Sequence, residues 1–197
     1  QLLLDADKPY TAVAALGQAT STGDVEGEVI ASERTPDLDM AGWQQVADGF
    51  LGDIDQVPPM YSALKHDGKR LYELARAGQA VERPARRVHI RVLEVTALEG
   101  GRLSLRVICS KGTYIRTLVG DLAQAAGTVA HTARLRRDAV APFEGPMHTL
   151  EALEALDAGT SLPEGWLLPA DAGLCDWRAS TLSDDDAARF CQGQRLG

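Results

Sequence analysis

Cysteine and histidine are scarce in this chain, and neither is spaced for a structural task. Three cysteines (Cys109, Cys175, Cys191) form no C-x-x-C pair, and four histidines (His66, His89, His131, His148) stand far apart. That pattern excludes a zinc-finger type of site and a disulfide framework, and it predicts reduced thiols, no metal and a cytoplasmic protein. No apolar run reaches the length of a membrane span, and the residues after Gln1 do not form a secretory signal. Internal repeats and low-complexity tracts are missing, as is an initiator methionine, so a processed or truncated chain is expected.

What is present is ordinary for a soluble globular protein: 197 residues, 45% hydrophobic and 24% charged, enough to bury a sizeable core. The net charge of −8 argues against a nucleic-acid partner until its distribution is read. Residues 61–91 hold eight Lys/Arg against three acids, and residues 111–137 hold five against one. Those windows are positive by nine; the remainder is negative by seventeen. A basic surface on an acidic body is predicted, the alternative being a solvated charged face.

Periodicity organises the chain. "YTAVAALG" (10–17) reads as a strand ending in a turn, with "EGEVIASER" (26–34) its continuation or partner. "DMAGWQQVADGF" (39–50) has helical spacing with Asp39 as N-cap. In 55–78 two prolines break any helix, "HDGK" supplies a turn, and "RLYELARAG" is a short helix stopped by Gly78. From 86 to 112 a hairpin is predicted: Val88, Ile90 and Val92 point one way, Glu99-Gly100-Gly101 turns, and Leu103, Leu105, Val107 and Cys109 alternate back. Ile115, Leu118, Val119 and Leu122 then mark an amphipathic helix ending near Gly127, and "LRRDAVAPFEG" reads as a further strand. Helices capped by Thr149, with Gly159 as stop, and by Ser183 follow, separated by a linker-like stretch from 160 to 173.

The chemistry concentrates in "CSKGTYIRTL" (109–118), where two cations and a phenol crowd a strand-to-helix junction. Gly112 permits a tight exit, and Lys111 beside the following N–H groups suits an anion. Tyr114 and Arg116, two apart, cannot share a helix face; both reach a cleft only if the helix starts at Ile115 or later. A fixed guanidinium there orients a carboxylate, and a phenol positions or shuttles a proton. Tyr10 is either a half-buried strand tyrosine or a platform for stacking a base. Arg136 and Arg137 after Leu135 are compatible with a solvated strand end.

Four blocks in order, "DKPYTAVAALGQATSTGDVEGEV", "DIDQVPPMYSALKHDGKRLYELARAG", "CSKGTYIRTLVGDLA" and "ARLRRDAV", resemble the bacterial TruB-type tRNA pseudouridine-55 synthases from Gln1 to about Pro169. The resemblance implies an α+β fold: a mixed, largely antiparallel sheet with flanking helices, a basic RNA-binding insertion at about 61–82, and the start of a small C-terminal domain. Residues 1–170 would form the catalytic core, and 171–197 the beginning of a PUA-like RNA-binding domain. It implies isomerisation of a flipped uridine in the tRNA T-stem-loop by a monomer that uses no cofactor. Tyr10 and Arg116 would be catalytic, with Arg116 pairing the nucleophilic aspartate. Tyr10, Tyr114 and Leu135 would bind the uridine, and Lys65, Lys69, Arg70, Lys111 and Arg136 the RNA backbone. The family's nucleophile lies in a G-x-L-D-P-x-A-x-G type loop, and no aspartate of this chain precedes a proline. The expectation is therefore that these 197 residues grip RNA without turning it over.

Overall fold

A computed structural model describes residues 2–143, 145–156 and 159–195. Two compact units divide at Met147 and His148, well before the boundary expected at 170–171. In the first unit a four-residue helix, α1 (Leu2–Asp5), leads into β1 (Lys8–Leu16), followed by β2 (Gln18–Thr20), β3 (Val29–Ser32), α2 (Met40–Asp48) and β4 (Gly52–Gln56). A small hairpin, β5 (Lys65–His66) and β6 (Lys69–Arg70), runs directly into α3 (Leu71–Arg76). The long hairpin β7 (Arg86–Glu99) and β8 (Arg102–Cys109), helix α4 (Ile115–Ala125) and β9 (Ala130–Arg137) complete it.

Five strands form one sheet in the order β4-β7-β8-β1-β9, every neighbouring pair antiparallel. The expected mixed sheet is therefore antiparallel throughout, with one isolated parallel bridge, Asp24 to Thr132, among the described residues. One face is dry. Ala12, Ala14, Ile90, Leu93, Leu103, Leu105, Val107 and Cys109 meet Trp43 and Ala47 of α2 and Ile115, Leu118, Val119 and Leu122 of α4. Burying each large aliphatic side chain there contributes about 1.5–3 kcal/mol, which is why the alternation in β8 and the 3.6-residue period in α4 are so regular.

Several expectations shift. Val92 is not a core residue, because a bulge between Ile90 and Val92 moves the inward face onto Leu93. The partner of β3 is the short β2 rather than β1. The last strand starts at Ala130, earlier than "LRRDAVAPFEG", and stops at Arg137, before Pro142, which cannot donate to a ladder. Beyond Ile90, β7 is no longer covered by β4; there the side chain of Gln44 donates to Leu93 O (3.0 Å) and accepts from Val95 N (2.8 Å).

The second unit holds α5 (Leu150–Glu154), a 3-10 turn (Ala172–Leu174) and α6 (Asp184–Cys191). Thr149 and Ser183 cap the two helices by accepting from Ala152 N and Asp186 N. Helix α5 ends at Glu154, ahead of Gly159. None of the described residues from 148 onward is buried.

Candidate active site

At the end of β8 the chain turns sharply: Gly112 has φ +79°, and Thr113 Oγ1 donates to Ser110 O at 2.9 Å. Tyr114 remains extended (φ −101°, ψ 106°) as the N-cap, and the helix starts at Ile115. That start frees Tyr114 from the helical spacing that would have set it apart from Arg116. The side chain of Gln56, at the end of β4 and buried, meets Tyr114 twice. Its Nε2 donates to Tyr114 O (3.1 Å), and its Oε1 accepts from Tyr114 N (2.7 Å).

Arg116 lies in the first turn of α4 with only 23% of its side chain exposed. Nη1 donates to Thr22 O (3.0 Å) and Asp24 Oδ2 (2.9 Å), and Nη2 donates to Tyr61 O (2.6 Å). The carboxylate on this guanidinium is thus Asp24. Burial pushes the Asp24 carboxyl up, but Thr22 Oγ1 (2.6 Å), the Glu26 N–H (3.1 Å) and Arg116 together hold it below the ordinary aspartate value. Gly23, with φ +75°, shapes this loop, and Thr132 N donates to Gly23 O at 2.9 Å to anchor it to β9.

Further along β9, the register sets Leu135 opposite Ala12 and Arg137 opposite Tyr10, on the sheet face that carries the core. Leu135 is 47% exposed, an apolar side chain left open at the sheet's end. Tyr10 is half-buried. Burial, with Cys109 beside it, raises its phenol above the ordinary value despite Arg137, so the hydroxyl stays protonated at neutral pH.

The basic insertion forms an arm. Asp67 (φ +49°) and Gly68 (φ +82°) make the two-residue turn that presents Lys65, Lys69 and Arg70 to solvent. The Arg70 guanidinium lies 5.8 Å from the Tyr72 ring centre and donates to its hydroxyl (3.0 Å); that of Arg76 lies 5.5 Å from the same ring. Among the described residues, no salt bridge joins Lys65, Lys69, Arg70 or Arg76 to a carboxylate. Arg83 Nη1 donates to Pro58 O (3.0 Å) and draws the two roots of the arm together. The other two predicted RNA-binding cations have acidic partners: Lys111 pairs with Asp5, and Arg136 with Asp138 at 3.4 Å. Such exposed pairs contribute little and exchange readily.

Two cavities, of about 500 and 540 Å³, flank the outer side of α4 and share Thr117, Asp121 and Gln124. Neither is lined by Tyr10, Tyr114, Arg116 or Leu135. Sequence reasoning missed Asp24, Gln56 and the Tyr61 carbonyl. Nothing local in the sequence signals any of them: Gln56 follows Asp53 and Asp55 on a strand with a single apolar side chain, Ile54.

An antiparallel sheet with one helix-covered face, a basic arm and an arginine held at a strand-to-helix turn define the class. Residues 1–115 match the model described as TruB family pseudouridylate synthase (N terminal domain). Residues 116–174 match tRNA pseudouridylate synthase B C-terminal domain. This chain belongs to the TruB family of pseudouridylate synthases. It is similar to tRNA pseudouridine synthase B of Ectopseudomonas mendocina, 52% identical over 98% of this chain and 64% of that protein. The protein of the same name from Cupriavidus pinatubonensis is 52% identical over 100% of this chain and 62% of its own length. The chain therefore spans just under two thirds of the length of these relatives. Among solved structures, the crystal structure of a Cbf5-Nop10-Gar1 complex aligns with a TM-score of 0.51 and 30% identity, over 73% of this chain and 33% of that one.

Proposed function

We propose that the protein isomerises uridine 55 in the T-loop of tRNA to pseudouridine. The bond from N1 to C1′ breaks, the uracil turns, a bond forms between C5 and C1′, the C5 proton is lost and N1 gains one. The observation that carries this reading is the Arg116 guanidinium, already oriented by Asp24 and two carbonyls beside the Tyr114 turn. A guanidinium fixed in advance can hold a catalytic carboxylate with little reorganisation. Tyr114 and Leu135 line the uridine pocket, and Tyr10 stacks on the flipped base. The half-buried phenol of Tyr10 serves as that platform. Lys65, Lys69 and Arg70 track the phosphates of the T-stem, with Lys111 and Arg136 joining once their acidic partners are displaced. Residues 1–170 act as the catalytic portion, and 171–197 open a PUA-like RNA-binding portion; the protein works as a cytoplasmic monomer.

No aspartate among residues 1–197 precedes a proline, as the nucleophile does in the family's G-x-L-D-P-x-A-x-G type loop. The 197-residue chain by itself is therefore proposed to bind the T-arm without turnover. The test is pseudouridine formation on a T-arm hairpin by the native protein. Arg116→Ala is expected to lower kcat by about 10²-fold or more while Kd for RNA changes little. Arg70→Ala is expected to weaken binding and make log K against log salt shallower by about one unit. Equal losses of affinity alone in both variants would refute this division of roles.

A further inference from the structure

Gln56 ends β4 and is 2% exposed, a primary amide removed from water at the edge of the site. Such a group is costly to bury unless its hydrogen bonds are met. Both of its described bonds go to one residue, Tyr114, across 58 positions of sequence. The amide joins Tyr114 as a neighbouring strand would, taking its N–H and its C=O together. Tyr114 is thereby held extended up to the point where α4 begins. The same stretch makes two further ties: Tyr61 O accepts from Arg116 Nη2 (2.6 Å), and Pro58 O accepts from Arg83 Nη1 (3.0 Å). The root of the basic arm is thus stitched to both ends of the Tyr114–Arg116 step.

We propose that Gln56 is a positioning residue for uridine isomerisation. By clamping the Tyr114 backbone on both sides, it fixes the Tyr114 ring and the Arg116 guanidinium relative to the arm that grips RNA. The proposal rests on the isomerase reading for its chemistry, and on hydrogen-bond pattern alone for its geometry. A purely space-filling role would be met by any side chain of similar volume. The clamp needs one donor and one acceptor, side by side.

That requirement gives a readout that packing would not move. In Gln56→Leu both bonds are lost at similar volume. In Gln56→Glu the neutral acid offers a donor and an acceptor, whereas the ionised acid sets an oxygen against Tyr114 O. Burial favours the neutral form. The titratable or charged groups next to position 56 by register, or along the chain from its partner Tyr114, are Arg86 opposite on β7, Asp55 and Arg87 bonded to each other, the Tyr114 phenol, and Arg116, two residues on and paired with Asp24. The cations favour ionisation, so the clamp should form at the acid end of the assay range and fail as pH rises through the new carboxyl's value.

The experiment measures kcat and KM of the native protein and both variants on a T-arm hairpin from about pH 5.5 to 8. It adds hydrogen exchange of the Tyr114 amide by NMR. Gln56→Leu is expected to lose about 10²-fold in kcat, the scale of a small misplacement of reacting groups, with KM within about threefold. The kcat of Gln56→Glu relative to wild type should climb as pH falls, while that of Gln56→Leu stays flat. A Gln56→Leu kcat within about threefold of wild type, or a flat Gln56→Glu ratio, overturns the proposal. Should the wild-type protein form no pseudouridine, the isomerase reading fails instead, and amide exchange decides the geometry. At least tenfold faster Tyr114 exchange in Gln56→Leu supports the clamp, and equal exchange overturns it.

Discussion

At neutral pH Asp24 sets the cost of partial burial against three favourable contacts, from Thr22, the Glu26 amide and Arg116. Its carboxyl value in the folded protein is lowered, so its contribution to stability is present above the ordinary aspartate value. That contribution is lost as pH falls through the lowered one. Asp24→Asn keeps an oxygen for the Glu26 amide but removes the charge facing Arg116. Urea unfolding at pH 7 is expected to show a loss of about 1–3 kcal/mol, shrinking toward zero under acid conditions where the wild-type carboxylate is itself protonated. A loss that does not depend on pH would mean the pair contributes nothing through charge. None of this was visible in "STGDVEG": the arginine that makes Asp24 matter lies 92 positions away, and no local period connects them. Tyr114 and Arg116 stand out in the sequence at a crowded strand-to-helix junction and Tyr10 on a strand, whereas the role of Leu135 rests on the resemblance to a family. Asp24 and Gln56 were silent because their roles exist only once β4, β9 and α4 have met.

Elements were legible in the sequence where one face is buried from end to end. Helix α2 begins where Asp39 caps it, accepting from Gly42 N at 2.8 Å, and β8 alternates without a fault. Strand β7 was legible only to Ile90, because a bulge adds one residue and reverses which side of the strand faces the core. Periodicity assumes the count is never broken, and nothing in "HIRVLEV" announces the break. The tip of that hairpin is a two-residue turn, with Gly100 at φ +55° and Gly101 at φ +75° and open space where a Cβ would stand on either. Asparagine tolerates this left-handed conformation and has fewer unfolded states than glycine. Gly100→Asn is therefore expected to leave the midpoint of denaturation unchanged, or to raise stability by up to about 1 kcal/mol. A loss greater than about 1 kcal/mol would mean the turn depends on something other than its backbone angles.

Across the whole molecule, burial is distributed unevenly. The first unit encloses a continuous core between one sheet face and two helices, whereas no described residue from 148 to 195 is buried. Leu167, Trp177 and Phe190 all stand more than half exposed. Helices as short as α5 and α6 are marginal without a packed face, even when well capped. Hydrogen exchange on the 197-residue chain should show α4 and β8 protected to the level of global unfolding, and α5 and α6 exchanging on the order of seconds. Protection of α6 equal to that of α4 would show that the second unit buries surface after all. The charge is just as uneven. A polyanion is repelled by the acidic remainder and attracted only by the two basic windows, 61–91 and 111–137, so the negative net charge helps to orient what it first seemed to exclude.

Gln44 has a consequence that reaches outside the single molecule. A β-strand whose outer edge is bare invites any passing strand, and the portion of β7 beyond Ile90 would be such an invitation. With Leu93 O and Val95 N already engaged by an amide from α2, a foreign strand must evict that amide before it can add to the sheet. The helix that fills the core thus also acts as a stopper on this stretch of β7.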